Sequence, residues 1–276
     1  LRRLAAFCAA LAPAFLALGA CGVTPQAPEG RAGPLRVVSI NPCVDAVLVR
    51  VADPGQIAGI SHYSQDPRAT SMSLAVAARF VATSGTAEEV AALRPDVVLA
   101  GAHVSPSTVA ALGRLGIKLV KFGVPGSIAE SNAQVRAIAG VVGHEARGEA
   151  LVAATEAAVR GARVSGEAVP ALIWQGGGLV PGAGTLPDEL LRVSGFRNVS
   201  ADFGLKSWDV LGLEYLAADP PRVLFGDEAD RMMAHPVVAK LRPGVAVRGF
   251  SERLMHCGGP TIIEALARLS AVRKSL

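Results

Sequence analysis

EVAALRPDVVLAG at residues 89–101 and EYLAADPPRVLFG at residues 214–226 are two copies of one pattern, set far apart in the chain. Each opens with a glutamate on a short amphipathic stretch. Each then passes through a proline turn, at Pro95 or Pro220, into an apolar strand that ends in glycine. A unit that occurs once in each half predicts two related α/β lobes. It also gives each lobe one acidic side chain at a comparable place, which suits a partner with two-fold symmetry.

The alternation of strand and helix around both copies extends this reading. Apolar runs at 35–39, 57–60, 96–100 and 117–122 are separated by helical patterns at 43–51, 87–93 and 107–115, with Thr86 and Ser105 placed to cap the last two. Pro42 opens the first of these helices and Asp45 lies in its first turn, where a carboxylate suits the helix dipole. The pattern then changes. Residues 127–142 have one apolar face (Ile128, Val135, Ile138, Val142), Gly143 breaks the run, and 145–163 reads as a second long helix. Alternation resumes with a strand at 171–174, a helix at 186–193, a helix at 208–218, strands at 223–225 and 245–248, and a closing helix at 260–272. The expected fold is α/β, two doubly wound lobes joined by a single long helix, with boundaries at 35–143 for the first lobe, 144–167 for the connecting helix and 168–276 for the second lobe. Lobes on a stiff helix should close by less than lobes joined by crossing strands.

Composition agrees with this class. Of the 276 residues 51% are hydrophobic, 18% charged and only 4% aromatic, which argues against disorder and against an aromatic-rich β-sandwich. The net charge of +4 includes Arg2 and Arg3 of the leader described next; without them it is too small to argue for a nucleic-acid partner, and no basic run is interleaved with aromatics. Residues 1–20 read as a signal peptide: the arginine pair, then an apolar stretch at 4–18 too short for a comfortable membrane span. It closes as Leu18-Gly19-Ala20-Cys21, similar to a bacterial lipobox, so Cys21 is the expected lipidation site and lipid the expected membrane anchor. Residues 21–34 are rich in Pro and Gly and read as a flexible tether. The expected location is the periplasm, on a lipoprotein.

The pieces RVVSINPCVDAVL, ADPGQIAGISHYS and GTAEEVAALRPDVVLAG in the first half, with GTLPDELLRVSGFRNVS and WDVLGLEYLAADPPRVLFG in the second, resemble the periplasmic substrate-binding proteins for iron-siderophore complexes and cobalamin. The likeness covers nearly all of the chain after the leader and lies in the order and spacing of the pieces. It implies a non-enzymatic protein, with no cofactor, that holds a metal chelate between two lobes and delivers it to an ABC permease dimer. It also implies that one acidic residue on each lobe meets the permease. In the second lobe that residue is Glu214. In the first lobe, gapless alignment of the repeats picks Glu89, whereas the apolar flanks (Ala87 and Val90 against Leu213 and Leu216) favour Glu88. Each glutamate taken alone is an ordinary solvated helix carboxylate. The protein is expected to act as a monomer.

In open α/β sheets a ligand lies beyond the carboxyl ends of the strands. The ligand-binding candidates there are Cys43, His62, Tyr63, Trp174, Trp208, Arg253, His256 and Cys257, with Asn41 and His103 in neighbouring loops. Trp208 is read as the start of the helix that carries Glu214; Trp174 ends an apolar strand and has a core reading beside the ligand one. QGGGLVPGAG at 175–184 lacks the Lys-Ser/Thr ending of a phosphate loop and reads as a tight turn. Cys43 and Cys257 fall on opposite lobes, where they either bond, share a soft metal, or are two unrelated small buried residues. Two rival functions remain. Bare zinc or manganese capture is disfavoured by five scattered histidines, and no dedicated metal site is expected. An exported hydrolase is disfavoured because no G-x-S-x-G elbow is present.

Overall fold

The computed structural model describes residues 33–205, 207–227, 231–241 and 243–276. The leader, Cys21 and almost all of the tether lie outside the described residues. Residues 34–276 form one compact unit.

Its first half is a five-stranded parallel sheet. The strands are β1 (Val37–Ser39), β2 (Ile57–Ser61), β3 (Ala82–Thr83), β4 (Val97–Gly101) and β5 (Lys118–Phe122), in the order β3-β2-β1-β4-β5. Helices α1 (Pro42–Val51), α2 (Leu74–Ala77), α3 (Ala87–Ala92) and α4 (Pro106–Arg114) connect them. Both sheet faces are covered, so the central strands are apolar on both sides: Val97, Val98, Leu99 and Ala100 are all buried. Even-numbered Val38 and Val98 pack under α3 and α4, while Val37, Val97 and Leu99 face α1. Helix starts are set locally: the Asn41 side chain accepts from the amides of Cys43 and Val44, and Thr86 and Ser105 cap α3 and α4.

Helices α5 (Ile128–Val142) and α6 (Glu145–Ala162) follow, joined by Gly143 in the left-handed conformation (φ 73°). They serve both halves of the molecule. Val135, Ile138, Leu151 and Val152 fill the core of the first sheet, whereas Ile128 and Ala162, at the outer ends of the pair, belong to the core of the second. The helices cross closely where Gly148 lies on Ala139; a Cβ at 148 would come within 2.6 Å of the alanine methyl.

The second half is built on a four-stranded parallel sheet of β6 (Val169–Ile173), β8 (Phe196–Asn198), β10 (Val223–Gly226) and β11 (Ala246–Gly249), in the order β11-β10-β6-β8. Helices α7 (Leu186–Val193), α8 (Leu213–Ala218), α9 (Pro236–Leu241) and α10 (Thr261–Lys274) cover it. A small antiparallel ribbon, β7 (Leu179–Pro181) with β9 (Trp208–Val210), projects from this lobe. Here the structure departs from the sequence reading. Trp208 is on a strand rather than at the start of a helix, because residues 208–210 pair with 181–179 and α8 begins only after the extended Gly212. The glycine-rich turn before β7 is as tight as expected: at Gly178 (φ +85°) a Cβ would meet the Leu211 carbonyl at 2.6 Å.

Candidate functional site

Strand order fixes where a site can form. In the first sheet the chain turns to opposite sides after β1 and after β4, leaving a crevice at their carboxyl ends. A cavity of about 380 Å³ occupies it. Its floor and walls come from the loops after β1 (Asn41, Pro42, Cys43) and after β4 (His103, Val104, Ser105), with Tyr63 beyond β2. Two further loops contribute that the sequence reading overlooked: Ser84 and Gly85 after β3, and 123–125 after β5. A two-residue strand such as β3 carries too few residues for an alternating pattern to register. His256 is the second lobe's contribution.

The eight candidate side chains divide. Cys43, Tyr63 and His256 line the cavity, joined by His103. His62 stands behind Tyr63, with ring centroids 4.0 Å apart and its Nδ1 3.2 Å from the Thr83 carbonyl, so it supports the tyrosine rather than facing the cavity. Trp208 reaches the site indirectly, stacked on His256 at 5.4 Å and 29°. Trp174 is a correction: it is fully buried against Val180, Leu211 and Leu216 and touches no cleft, because the side of β6 on which it ends is roofed by the ribbon and α8. Arg253 is another. It pairs with Glu264 and lines a separate cavity with Arg50 and Ser71. Cys257 is buried and does not line the cavity either. It is bonded to Cys43, with Cα atoms 5.0 Å apart, so the readings of two unrelated residues or of a shared metal give way to a disulfide between the lobes.

Two groups set the electrostatics. The His256 ring can be reached from the cavity, yet the surrounding walls strip water from it. This desolvation lowers its pKa below the ordinary imidazole range, and Glu252 only partly opposes the shift. The shift favours the neutral ring, the form with a free lone pair for a metal. Asp45, on α1, is completely buried. Burial pushes its pKa up to about 7, against the pull of the Ser39 and Ser64 hydroxyls and the Ser61 amide. Its Oδ2 accepts from Ser61 N at 2.9 Å and from Ser64 Oγ at 2.6 Å, and Oδ1 is buried without a hydrogen-bond partner. Ser61 and Ser64 bracket His62 and Tyr63, so Asp45 pins the turn that presents the tyrosine.

The glutamates differ in geometry. Glu88 and Glu214 are each the second residue of their helices, α3 and α8, and both are exposed. Both helices start ten residues before their strands, Ala87 before Val97 and Leu213 before Val223. Glu89 is instead folded back, accepting from Ser84 N at 2.7 Å and Thr83 Oγ1 at 3.0 Å. Those bonds, the Ser84 amide foremost, hold its pKa below the usual carboxylate value.

The sequence from 37 to 246 matches the periplasmic binding protein family. No curated protein matches the chain in sequence. Among solved structures, the periplasmic heme-binding protein RhuT of Roseiflexus sp. RS-1 in its apo form is similar with a TM-score of 0.71 and 21% identity, over 88% of this chain and 99% of that one. The periplasmic heme-binding protein HutB of Vibrio cholerae gives 0.71 and 15%, over 86% and 98%. The periplasmic vitamin B12-binding protein BtuF of Vibrio cholerae gives 0.69 and 16%, over 87% and 96%. At these identities the likeness establishes a shared fold.

The raised pKa of Asp45 has a consequence for stability. Its unfolded pKa lies near 3.8 and its folded value near 7, so the folded state holds the proton more tightly. The stabilisation from this group is complete below about pH 4 and is lost as pH rises through 7, on the order of a few kcal/mol. In Asp45→Asn, urea unfolding between pH 4 and pH 8 should lack this component; an unchanged pH slope would mean that Asp45 is already ionised at acid pH.

Proposed function

We propose that this chain, which belongs to the periplasmic binding protein family, captures a metal chelate in the cavity between its lobes and hands it to an ABC permease dimer. The observation that carries the reading is the convergence of Tyr63, His103 and His256 on one largely apolar cavity at the carboxyl ends of the strands. A chelate brings its own equatorial donors, so the protein need supply only one or two further donors and an apolar wall. A phenol and a neutral imidazole on facing walls meet that need. The cavity's volume falls within the range of about 300–1,000 Å³ common for small-molecule sites.

Among chelates, a flat iron tetrapyrrole of the heme class fits this donor set best. A siderophore already saturates its iron, which would leave the phenol and imidazoles without a metal to bind. A cobalamin-type corrinoid is the second reading, since its cobalt also takes an axial donor. Bare zinc or manganese capture is less well supported: among the described residues no three His, Cys, Asp or Glu side chains stand together as a metal site. The family is one of binding proteins rather than enzymes.

The remaining assignments complete the proposal. Glu88 and Glu214 dock the two lobes on the two permease subunits, as matched exposed carboxylates that orient the encounter and set its rate more than its affinity. Cys21 is the lipid anchor, and the protein works in the periplasm as a monomer. An interlobe disulfide fits an oxidising compartment.

Titration of the purified protein with hemin, cyanocobalamin and ferric siderophores, read by absorbance and tryptophan quenching, should show hemin bound most tightly. Tyr63→Phe and His256→Ala should each weaken it by tenfold or more. Equal or stronger binding of cyanocobalamin would move the assignment to corrinoids, and binding of none would remove the chelate reading. Charge reversal at Glu88 and Glu214 should reduce ligand uptake by cells while leaving affinity intact; undiminished uptake would reject the docking role.

A further inference from the structure

We propose that the Cys43–Cys257 disulfide is a redox-operated clasp on the ligand site: closed, it pins His256 against the first-lobe wall; opened by exchange with a dithiol, it frees that loop and loosens the ligand. The proposal rests on the reading that His256 faces the ligand.

The bond joins residues 214 apart in sequence and crosses between the lobes. Cys43 is the second residue of α1 and lines the cavity; Cys257 immediately follows His256. The His256 carbonyl oxygen lies 3.6 Å from Cys43 Sγ, so the histidine is placed by the bond itself. On the downstream side the same segment is held without it. Gly259 donates to Ser131 Oγ on α5 at 2.7 Å, and at φ +67° a Cβ there would meet Val47 of α1 at 2.6 Å. Helices α5 and α6 also run on unbroken. Cutting the disulfide therefore leaves the fold and the Gly258–Gly259 contact in place. What it releases is the short link between two anchored points: upstream, Leu254 and Met255 stay buried in the second lobe's core and Arg253 stays paired with Glu264, so the residues freed are His256 and Cys257.

The surroundings suit exchange. Cys43 is half-buried and borders the cavity, whereas Cys257 is buried, so attack comes at Cys43. A reductant thiolate attacks Cys43 Sγ and the sulfur–sulfur bond breaks. The electron pair leaves on Cys257 Sγ, which takes a proton from water; Ser71 Oγ, 3.1 Å away, is placed to donate a hydrogen bond to it. The reductant's second thiol then attacks its own sulfur in the mixed disulfide and releases the Cys43 thiolate at the N-terminus of α1, where the helix dipole favours negative charge. The dithiol becomes a disulfide and gives up two electrons and, to water, the proton of its second thiol; the protein ends as the Cys257 thiol and the Cys43 thiolate. Reoxidation by a disulfide oxidant reverses the sequence.

The test compares the oxidised full chain, the chain reduced with dithiothreitol and desalted under argon, and the double variant Cys43→Ser/Cys257→Ser. Hydrogen exchange without ligand should rise at residues 256–257 in the two opened forms and stay unchanged at 258–270. This arm judges the clasp whether or not hemin is the ligand; unchanged exchange at residues 256–257, or a bond that dithiothreitol opens only after denaturation, would overturn it. Hemin should bind the opened forms at least tenfold more weakly with an altered Soret band, and reoxidation of the reduced wild type should restore both. In His256→Ala, reduction should change hemin affinity no further. A tenfold loss that persists in His256→Ala would mark the bond as a general stabiliser and refute the clasp.

Discussion

Helices α5 and α6 belong to two hydrophobic cores at once, and the rest of the molecule is organised by that sharing. Their middle turns are buried against the first sheet and their outer ends against the second. A swing of one lobe on the other must therefore disturb side chains packed in both cores, and close-packed interiors resist such deformation. The two carboxyl edges are in this way held facing one another before any ligand arrives. Pre-organisation of this kind lowers the ordering cost of binding.

The two lobes contribute unequally. The first supplies nearly the whole cavity, through five loops that end its five strands, while the second reaches in with a single residue at the end of a loop. Two kinds of restraint make that workable. Asp45 lies beneath the Tyr63 turn, holding it through Ser61 and Ser64 from inside the core. Across the cleft, Trp208 backs the His256 ring and the disulfide fixes its main chain. Tyr63 is thus set from the core by Asp45, and His256 by Trp208 behind it and by a disulfide whose Cys43 lines the cavity.

Much of the fold was legible because doubly wound lobes write themselves into the chain as alternating periods, and because the helix caps at Thr86 and Ser105 stand at the starts they mark. The ribbon of β7 and β9 was not legible: three-residue strands leave no period, and Trp208 next to an amphipathic run reads equally well as the start of a helix. Site residues divided along a similar line. Loops after β1, β2 and β4 were found, while those after the two-residue β3 and after β5 were missed. Trp174 was misplaced because sequence shows that a strand ends at a crevice but not which side of its end is roofed. The pairing of Cys43 with Cys257 lay beyond local pattern altogether, since a contact across 214 residues follows from how two sheets are set against each other. Glu88 and Glu214 hold the same second position in their helices, a correspondence that the gapless alignment of the repeats did not show.

The most direct measurement is a crystal structure of the oxidised protein grown with hemin. The account predicts the porphyrin in the cavity bounded by Tyr63, His103 and His256, with its iron within bonding distance of the Tyr63 phenolate oxygen or the His256 imidazole and the Cys43–Cys257 bond intact beside it. A porphyrin bound elsewhere, or one in this cavity with its iron out of reach of all three side chains, would contradict it.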